Sequence, residues 1–112
     1  MHYETRSEQG VTIVTPAVSR LDASTAPALR DALASRIEAG AHCLILDLSG
    51  VAFLDSSALG ALIATAKRVG PLGHFGVAGT LPVVARLFAL THMDRVFALH
   101  PSTAEAIARL TA

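Results

Sequence analysis

Three consecutive polar residues, Asp55-Ser56-Ser57, are the part of this sequence best suited to chemistry. They follow a short apolar segment and precede a stretch with helical periodicity, so they lie at a helix start, where the first N–H groups lack helical partners. One interpretation is structural, because Asp and Ser are both preferred helix caps. The other is that a serine there accepts a phosphate, since the free N–H groups and the helix dipole stabilise an anion. The spacing alone leaves both interpretations open.

Other chemistries that use serine, histidine or cysteine lack the residues they need. The string D-S-S-A-L-G that begins at Asp55 does not contain the G-x-S-x-G turn of a serine hydrolase. The histidines and the single cysteine, Cys43, show no spacing typical of a catalytic triad or a metal site. We expect Cys43 in the core and the histidines on the surface; they are His2, His42, His74, His92 and His100. No phosphate-binding glycine loop is present either, so the sequence predicts no catalytic residue, no metal site and no cofactor.

The composition excludes several classes of partner. The chain has 112 residues, the length of one domain, so we expect a single domain over residues 1–112. Nine basic and nine acidic side chains give a formal net charge of zero, which offers no strong attraction to nucleic acid or to an anionic membrane. Neither a membrane-spanning apolar run nor a signal peptide is visible in the sequence. A single cysteine forms no internal disulfide, so we expect a cytoplasmic protein.

Apolar periodicity predicts the elements that position these residues. Residues 3–7 and 11–15 form a predicted hairpin, and the nearly continuous apolar run at 43–48 is typical of a central strand buried on both faces. Residues 49–55 are expected as a loop, and further strands are predicted at 74–78 and 96–99. Four helices are predicted, with start signals at Ser24 or Thr25, at Ser57, at Thr80-Leu81-Pro82 and at the capping box Ser102-x-x-Glu105. This alternation predicts an α/β fold with a mixed sheet of four to five strands and about four helices.

Three segments of the chain resemble a known family when they are taken together. Residues 19–29 resemble the family's G-x-L/I-D stretch before its first helix, residues 44–49 resemble its central strand, and residues 53–60 resemble its signature D-S-S/T-G-L-G. With residues 84–88, the resemblance covers almost the whole chain. The sequence is therefore similar to the STAS domain in its free-standing form, the anti-sigma factor antagonist.

The resemblance implies a partner switch. In this family the unphosphorylated antagonist binds an anti-sigma factor that is also a serine kinase of the GHKL ATPase type, and the client is released. The kinase then phosphorylates the serine directly after the signature aspartate, which breaks the complex, and a PP2C-type phosphatase removes the phosphate. When the family's motif is matched to this sequence, the phosphorylated residue would be Ser56, and Ser57 would be the alternative hydroxyl. Asp22 and Asp55 match the acidic residues beside the site.

The same resemblance implies a partner interface around the phosphorylation site. Its residues are Asp22, Ser24, Thr25, Asp55, Ser57, Ala58 and Leu59. We expect Ala58, Leu59 and Ala61 to supply a small surface of low charge, which suits an interface core. A phosphate on Ser56 brings about −1.5 to −2 charges beside Asp55, and also beside Asp22 if the two loops meet.

The sequence departs from the family pattern at three positions. Ala58 and Ser19 stand where the family usually has glycine, and Arg20 replaces a commonly acidic or polar residue. An alternative function is a STAS subunit that is not phosphorylated and holds a larger complex together, such as a lipid-transport ABC system, through the same helix face.

Overall fold

A computed structural model describes residues 1–112, with seven strands and four α-helices. The strands are β1 (Tyr3–Glu8), β2 (Val11–Pro16), β3 (Arg20–Leu21), β4 (Cys43–Asp47), β5 (Phe53–Leu54), β6 (His74–Ala78) and β7 (Ala98–His100). The helices are α1 (Ala26–Glu38), α2 (Ser56–Val69), α3 (Pro82–Leu90) and α4 (Thr103–Leu110), with a 3₁₀ turn at Met93–Arg95. The predicted α/β class and its four helices are confirmed. None of the helices combines the length and the apolar character that crossing a membrane requires.

The main sheet has five strands in the order β1-β2-β4-β6-β7. β1 and β2 pair antiparallel, and the other three pairs are parallel, so the sheet is mixed as predicted. The hairpin turns at Gln9 and Gly10, whose φ angles of 53° and 81° are both left-handed. Such a two-residue turn matches the twist of the strands that it joins. Each parallel pair then requires a crossover, and the helices provide it.

Strand β4 is the central strand, and helices cover both of its faces. Leu44 and Leu46 face the larger core, which α1, α2 and α3 enclose, whereas Ile45 faces a smaller core beneath α4. All three side chains are fully buried. A strand that is buried on both faces has no polar side to present, which explains its nearly continuous apolar sequence.

A second, two-stranded sheet forms where the sequence predicted only a loop. β3 and β5 pair in parallel, with Arg20 opposite Phe53 and Leu21 opposite Leu54. Leu21 and Leu54 are buried in the larger core, so their side chains attach the two-stranded sheet to that core. Two residues are too few to produce a visible alternation, and for this reason the sequence did not reveal the element. Its effect is to join the segment before α1 to the segment before α2.

The last strand begins two residues later than predicted. The 3₁₀ turn at Met93–Arg95 leads into Val96 and Phe97, whose N–H groups both donate to the carbonyl oxygen of Met93. These residues are therefore engaged before the strand begins at Ala98. The strand lies at the sheet edge, as expected.

The expectation that all histidines face solvent is wrong for His100, which is only 4% exposed. The Nε2 atoms of His74 and His100 lie 3.1 Å apart, and the two rings meet on the sheet face that carries α4. Gly76 makes room for them, because a side chain there would come within 3.1 Å of the His100 ring. Cys43 is half-buried, so the prediction of a core cysteine was also too strong.

Candidate functional site

Asp55 is the cap of helix α2, and this places the two serines on the first turn. Its backbone is extended, and its Oδ1 atom accepts hydrogen bonds from the N–H groups of Ser57 at 3.0 Å and Ala58 at 3.1 Å. The helix therefore begins at Ser56, one residue before the predicted start. Because the carboxylate satisfies these N–H groups, neither serine hydroxyl is needed as a cap. Both Ser56 and Ser57 are exposed.

Asp22 closes the preceding loop on itself. Its Oδ1 atom accepts hydrogen bonds from the Ser24 hydroxyl at 2.6 Å and the Ser24 N–H at 3.0 Å. The pKa of Asp22 lies below its ordinary value, chiefly because its carboxylate accepts a hydrogen bond from the Ser24 hydroxyl. The backbone N–H groups of Ser24 and Thr25 and the charge of Arg20 lower this pKa as well. This carboxylate is therefore a stable negative charge at neutral pH.

Neither hydroxyl before α1 caps the helix, although the sequence predicted that one would. Thr25 occupies the cap position, but its side chain makes no capping hydrogen bond. Its Oγ1 atom instead accepts the backbone N–H of Asp22 at 2.9 Å. Ser24 donates to Asp22, as described above. Both hydroxyls thus rigidify the Asp22 loop, because side chains of this type also stabilise turns.

The small sheet brings the two acidic residues to the same end of the molecule. Leu21 and Leu54 are register partners, and Asp22 and Asp55 are the residues that follow them. The backbone N–H of Asp55 donates to the carbonyl oxygen of Leu21 at 3.1 Å, which continues the pairing beyond the strands. The loop that carries Asp22 and the loop that carries Asp55 therefore meet, and Ser56 directly follows Asp55 in the chain.

Arg20 lies beside this acidic pair. Its Nε atom is 3.7 Å from Oδ2 of Asp22, and its guanidinium group stands 4.0 Å above the centre of the Phe53 ring. The stacking is a cation–π contact between register partners on β3 and β5. The departure from the family pattern at Arg20 therefore has a structural role in joining the two strands.

The apolar residues of α2 that were expected to form an interface surface are buried instead. Ala58 is fully buried, Leu59 is 9% exposed and Ala61 is 1% exposed, and all three pack in the larger core. The prediction was wrong because these residues occupy the inward face of the amphipathic helix. Among the remaining residues of the predicted interface, Ser24 and Ser57 are exposed, and Asp22, Thr25 and Asp55 are half-buried.

The surroundings of Ser57 extend towards α1. Ser57 lines a surface depression of about 370 Å³ together with Arg30 and Asp31 of α1. Ser56 is not part of this lining. The two neighbouring hydroxyls consequently have different surroundings: Ser57 has a cation and a carboxylate from α1 nearby, whereas Ser56 directly follows the Asp55 cap.

An apolar groove that was not predicted from the sequence lies beside the site. It lies between β5 and α3, has a volume of about 280 Å³, and seven of its eight lining residues are hydrophobic. Val83 and Leu90 were a signal for it, because they are apolar yet do not share the buried face of α3 that Val84 and Phe88 form. Phe53 belongs to the groove and precedes the Asp55 cap by two residues.

The two exposed serines at the start of α2 lie apart from the histidine pair. His100, which is buried, and His74, which is half-buried, lie on the sheet face that carries α4, whereas α2 covers the opposite face. A serine nucleophile requires a base within hydrogen-bond reach. The histidine pair is therefore not placed to act as a base for Ser56 or Ser57.

Comparison with known proteins places the chain in a family. The STAS domain model matches residues 2–106. The anti-sigma-F factor antagonist RsfB of Mycobacterium tuberculosis is 33% identical over 87 residues, which cover 78% of this chain and 71% of that protein. The crystal structure of an anti-sigma factor antagonist from Mycobacterium paratuberculosis has a TM-score of 0.90 and 32% identity, covering 99% of this chain and 94% of that one. The Bacillus protein SpoIIAA in its phosphorylated form shares the fold, with a TM-score of 0.72 at 17% identity, over 97% of this chain and 99% of that one. The chain therefore resembles anti-sigma factor antagonists, and it belongs to the STAS domain family.

Proposed function

We propose that this protein is an anti-sigma factor antagonist that is switched by phosphorylation of Ser56. The observation that carries the proposal is the position of that hydroxyl: it is exposed, it is the first residue of α2, and it directly follows the Asp55 cap. Similarity to RsfB and to the Mycobacterium paratuberculosis antagonist supports the antagonist role. SpoIIAA, which has the same fold, has been solved in unphosphorylated and phosphorylated forms, and this supports a phosphorylation switch.

The partner is an anti-sigma factor that is also a serine kinase of the GHKL type. It binds the unphosphorylated protein through the exposed and half-buried polar residues around the start of α2, and its client is released. The interface consists of Asp22, Ser24, Thr25, Asp55 and Ser57, with Ser56 among them. The protein itself is a cytoplasmic, non-enzymatic binding domain that acts on no nucleic acid or membrane directly.

Phosphorylation weakens this complex through charge. A phosphate on Ser56 adds about −1.5 to −2 charges directly after Asp55 and close to the loop that carries Asp22. Burying this group of like charges against a partner is unfavourable unless the partner supplies cations. A loss of about 3 kcal/mol of binding free energy lowers the affinity more than 100-fold. The switch therefore requires no change of fold, and a PP2C-type phosphatase resets it.

Mass spectrometry tests the modified residue. The protein is incubated with its cognate GHKL-type kinase and ATP, and the intact mass is measured for the wild type, Ser56→Ala and Ser57→Ala. We expect one added phosphate on the wild type and on Ser57→Ala, and none on Ser56→Ala. Loss of the phosphate in Ser57→Ala alone would reassign the site to Ser57. An unmodified wild type that co-purifies with a transporter ATPase would favour the permanent-subunit function instead.

A further inference from the structure

We infer that the groove between β5 and α3, termed the β5–α3 groove, anchors an apolar, acidic helix of the anti-sigma factor. This inference rests on the proposed function and adds a second contact surface to it. Val83 is 61% exposed and Leu90 is 73% exposed, and both line the groove together with the partly exposed Phe53. A cluster of exposed apolar side chains around one concave surface marks an interaction site.

Helix α3 carries two apolar stripes, and the second of them is only partly used inside the protein. Val84 and Phe88 are buried and attach the helix to the larger core. Val83, Leu87 and Leu90 have the spacing i, i+4 and i+7, so they form a second stripe, which faces the groove. Leu87 also packs against the larger core, whereas Val83 and Leu90 at the ends of the stripe are exposed and would be covered only by an external partner.

The groove is continuous with the switch site. Phe53 and Leu54 form strand β5 and line the groove, and the next two residues are the cap Asp55 and the acceptor Ser56. A partner that contacts Phe53 therefore lies beside the phosphorylated hydroxyl. This arrangement assigns separate tasks to neighbouring surfaces: the groove provides apolar contact area, and the serine controls whether the complex persists.

The charges around the groove indicate the chemistry of the occupant. Arg86 is the single charged residue in its lining and forms no ion pair, since the ion pairs of the structure are Arg6–Glu8, Arg20–Asp22 and Arg68–Glu38. Arg20, which is already paired with Asp22 at 3.7 Å, lies above the Phe53 ring at the edge of the groove. An occupant with apolar side chains on one face and a carboxylate opposite Arg86 complements this surface. An amphipathic helix in a groove is a common form of such recognition.

The experiment measures the affinity of groove variants for the anti-sigma factor kinase that phosphorylates the protein. Val83→Asp and Leu90→Asp are expected to weaken binding about tenfold or more, because each places a charge in the apolar contact. Arg86→Glu is expected to weaken binding, and Arg86→Lys is expected to retain most of it. Leu72→Ser is the matched control, since Leu72 is 99% exposed and lies outside the groove. Thermal unfolding of every variant verifies that the fold is retained.

The outcomes separate this inference from the proposed function. A wild type that binds the kinase while Val83→Asp and Leu90→Asp bind equally well overturns the groove inference and leaves the switch intact. A wild type that binds no anti-sigma factor overturns the proposed function. Sedimentation of the wild type alone tests the other occupant: a dimer that Val83→Asp dissociates would show that a second copy of this chain fills the groove, and would overturn the inference.

Discussion

The backbone N–H of Asp55 donates a hydrogen bond to the carbonyl oxygen of Leu21, with an N···O distance of 3.1 Å. This bond extends the pairing of β3 with β5 and connects two segments that are more than thirty residues apart in the chain. It brings the loop of Asp22 to the start of α2. The acidic surroundings of Ser56 are thus a consequence of long-range strand pairing as well as of local sequence.

Removing the cap of α2 should destabilise the protein. Asp55→Ala loses the hydrogen bonds to the N–H groups of Ser57 and Ala58, so we expect the free energy of unfolding to fall by about 1 kcal/mol. Asp55→Asn keeps an oxygen acceptor at the same place and should cost much less. Urea unfolding of both variants measures the difference. Equal loss in the two variants would show that the charge, and not the cap, stabilises the helix.

The small sheet should depend on its buried leucine. Leu21 is fully buried in the larger core, so Leu21→Ala should lower the free energy of unfolding by about 2–5 kcal/mol, the range for large cavities. Arg20, the neighbour of Leu21, provides a control. The substitution Arg20→Ala removes only the stacking on Phe53 and the contact with Asp22. Exposed contacts of this kind contribute about 1 kcal/mol or less. Equal effects of the two substitutions would contradict the assigned anchoring role.

Restoring the usual glycine of the family should not improve partner binding. The methyl group of Ala58 is fully buried in the core, so Ala58→Gly removes packing and helix propensity, and we expect a loss of about 1 kcal/mol in stability. Affinity for the anti-sigma factor should stay within about twofold, a difference of less than 0.5 kcal/mol. Urea unfolding and a binding titration of the same variant measure both effects. A large gain in affinity would show that this position contacts the partner.

The histidine pair predicts a pH dependence of stability. Burial lowers the pKa of His74. The pKa of His100 is also lowered, chiefly by burial and further by the charges of His74 and Arg109. The folded state therefore favours the neutral rings, in which one Nε2–H donates to the other Nε2. The unfolded chain takes up protons below about pH 6.5, before the folded protein does. The free energy of unfolding should consequently keep its full contribution from the pair above about pH 6.5. It should fall as the pH drops through about 6.5 towards the lowered pKa values of the folded histidines.

The measurement is urea unfolding of the wild type and His100→Phe at several pH values between 5 and 8. We expect the variant to show a flatter pH profile, because it removes one of the two titrating rings and the contact between them. Other charged groups near His100 are Glu105 and Arg109, which line the same surface depression, and Cys43 lies opposite His74 in the strand register. These groups are present in both proteins. Identical pH profiles would contradict a role for the pair.

Local patterns were sufficient to predict most of the architecture. The hairpin, the central strand and the four helices each have a period, a cap or a turn that is visible within about fifteen residues. The start of α2, with its Asp-Ser-Ser string, was recognisable for the same reason. The burial of Ala58 and Leu59 also follows from the helical period, since both lie on the inward face of α2.

The remaining features depend on contacts between distant parts of the chain. The β3–β5 pairing joins residues 20–21 to residues 53–54, and strands of two residues have no period of their own. The contact between His74 and His100 requires Gly76 beneath them and the register of β6 with β7. The β5–α3 groove requires that an external stripe of α3 meets Phe53. No pattern along the sequence contains these relationships, since each depends on how separate elements pack.

The affinity of the purified protein for its anti-sigma factor, before and after phosphorylation of Ser56, tests the central claim most directly. Isothermal titration calorimetry of the unphosphorylated and the fully phosphorylated protein provides the comparison, with Ser56→Ala as a form that remains unmodified. We predict that phosphorylation weakens binding by more than about 100-fold, whereas Ser56→Ala treated with kinase and ATP binds as the untreated protein does. Equal affinities of the phosphorylated and unphosphorylated forms would contradict the switch.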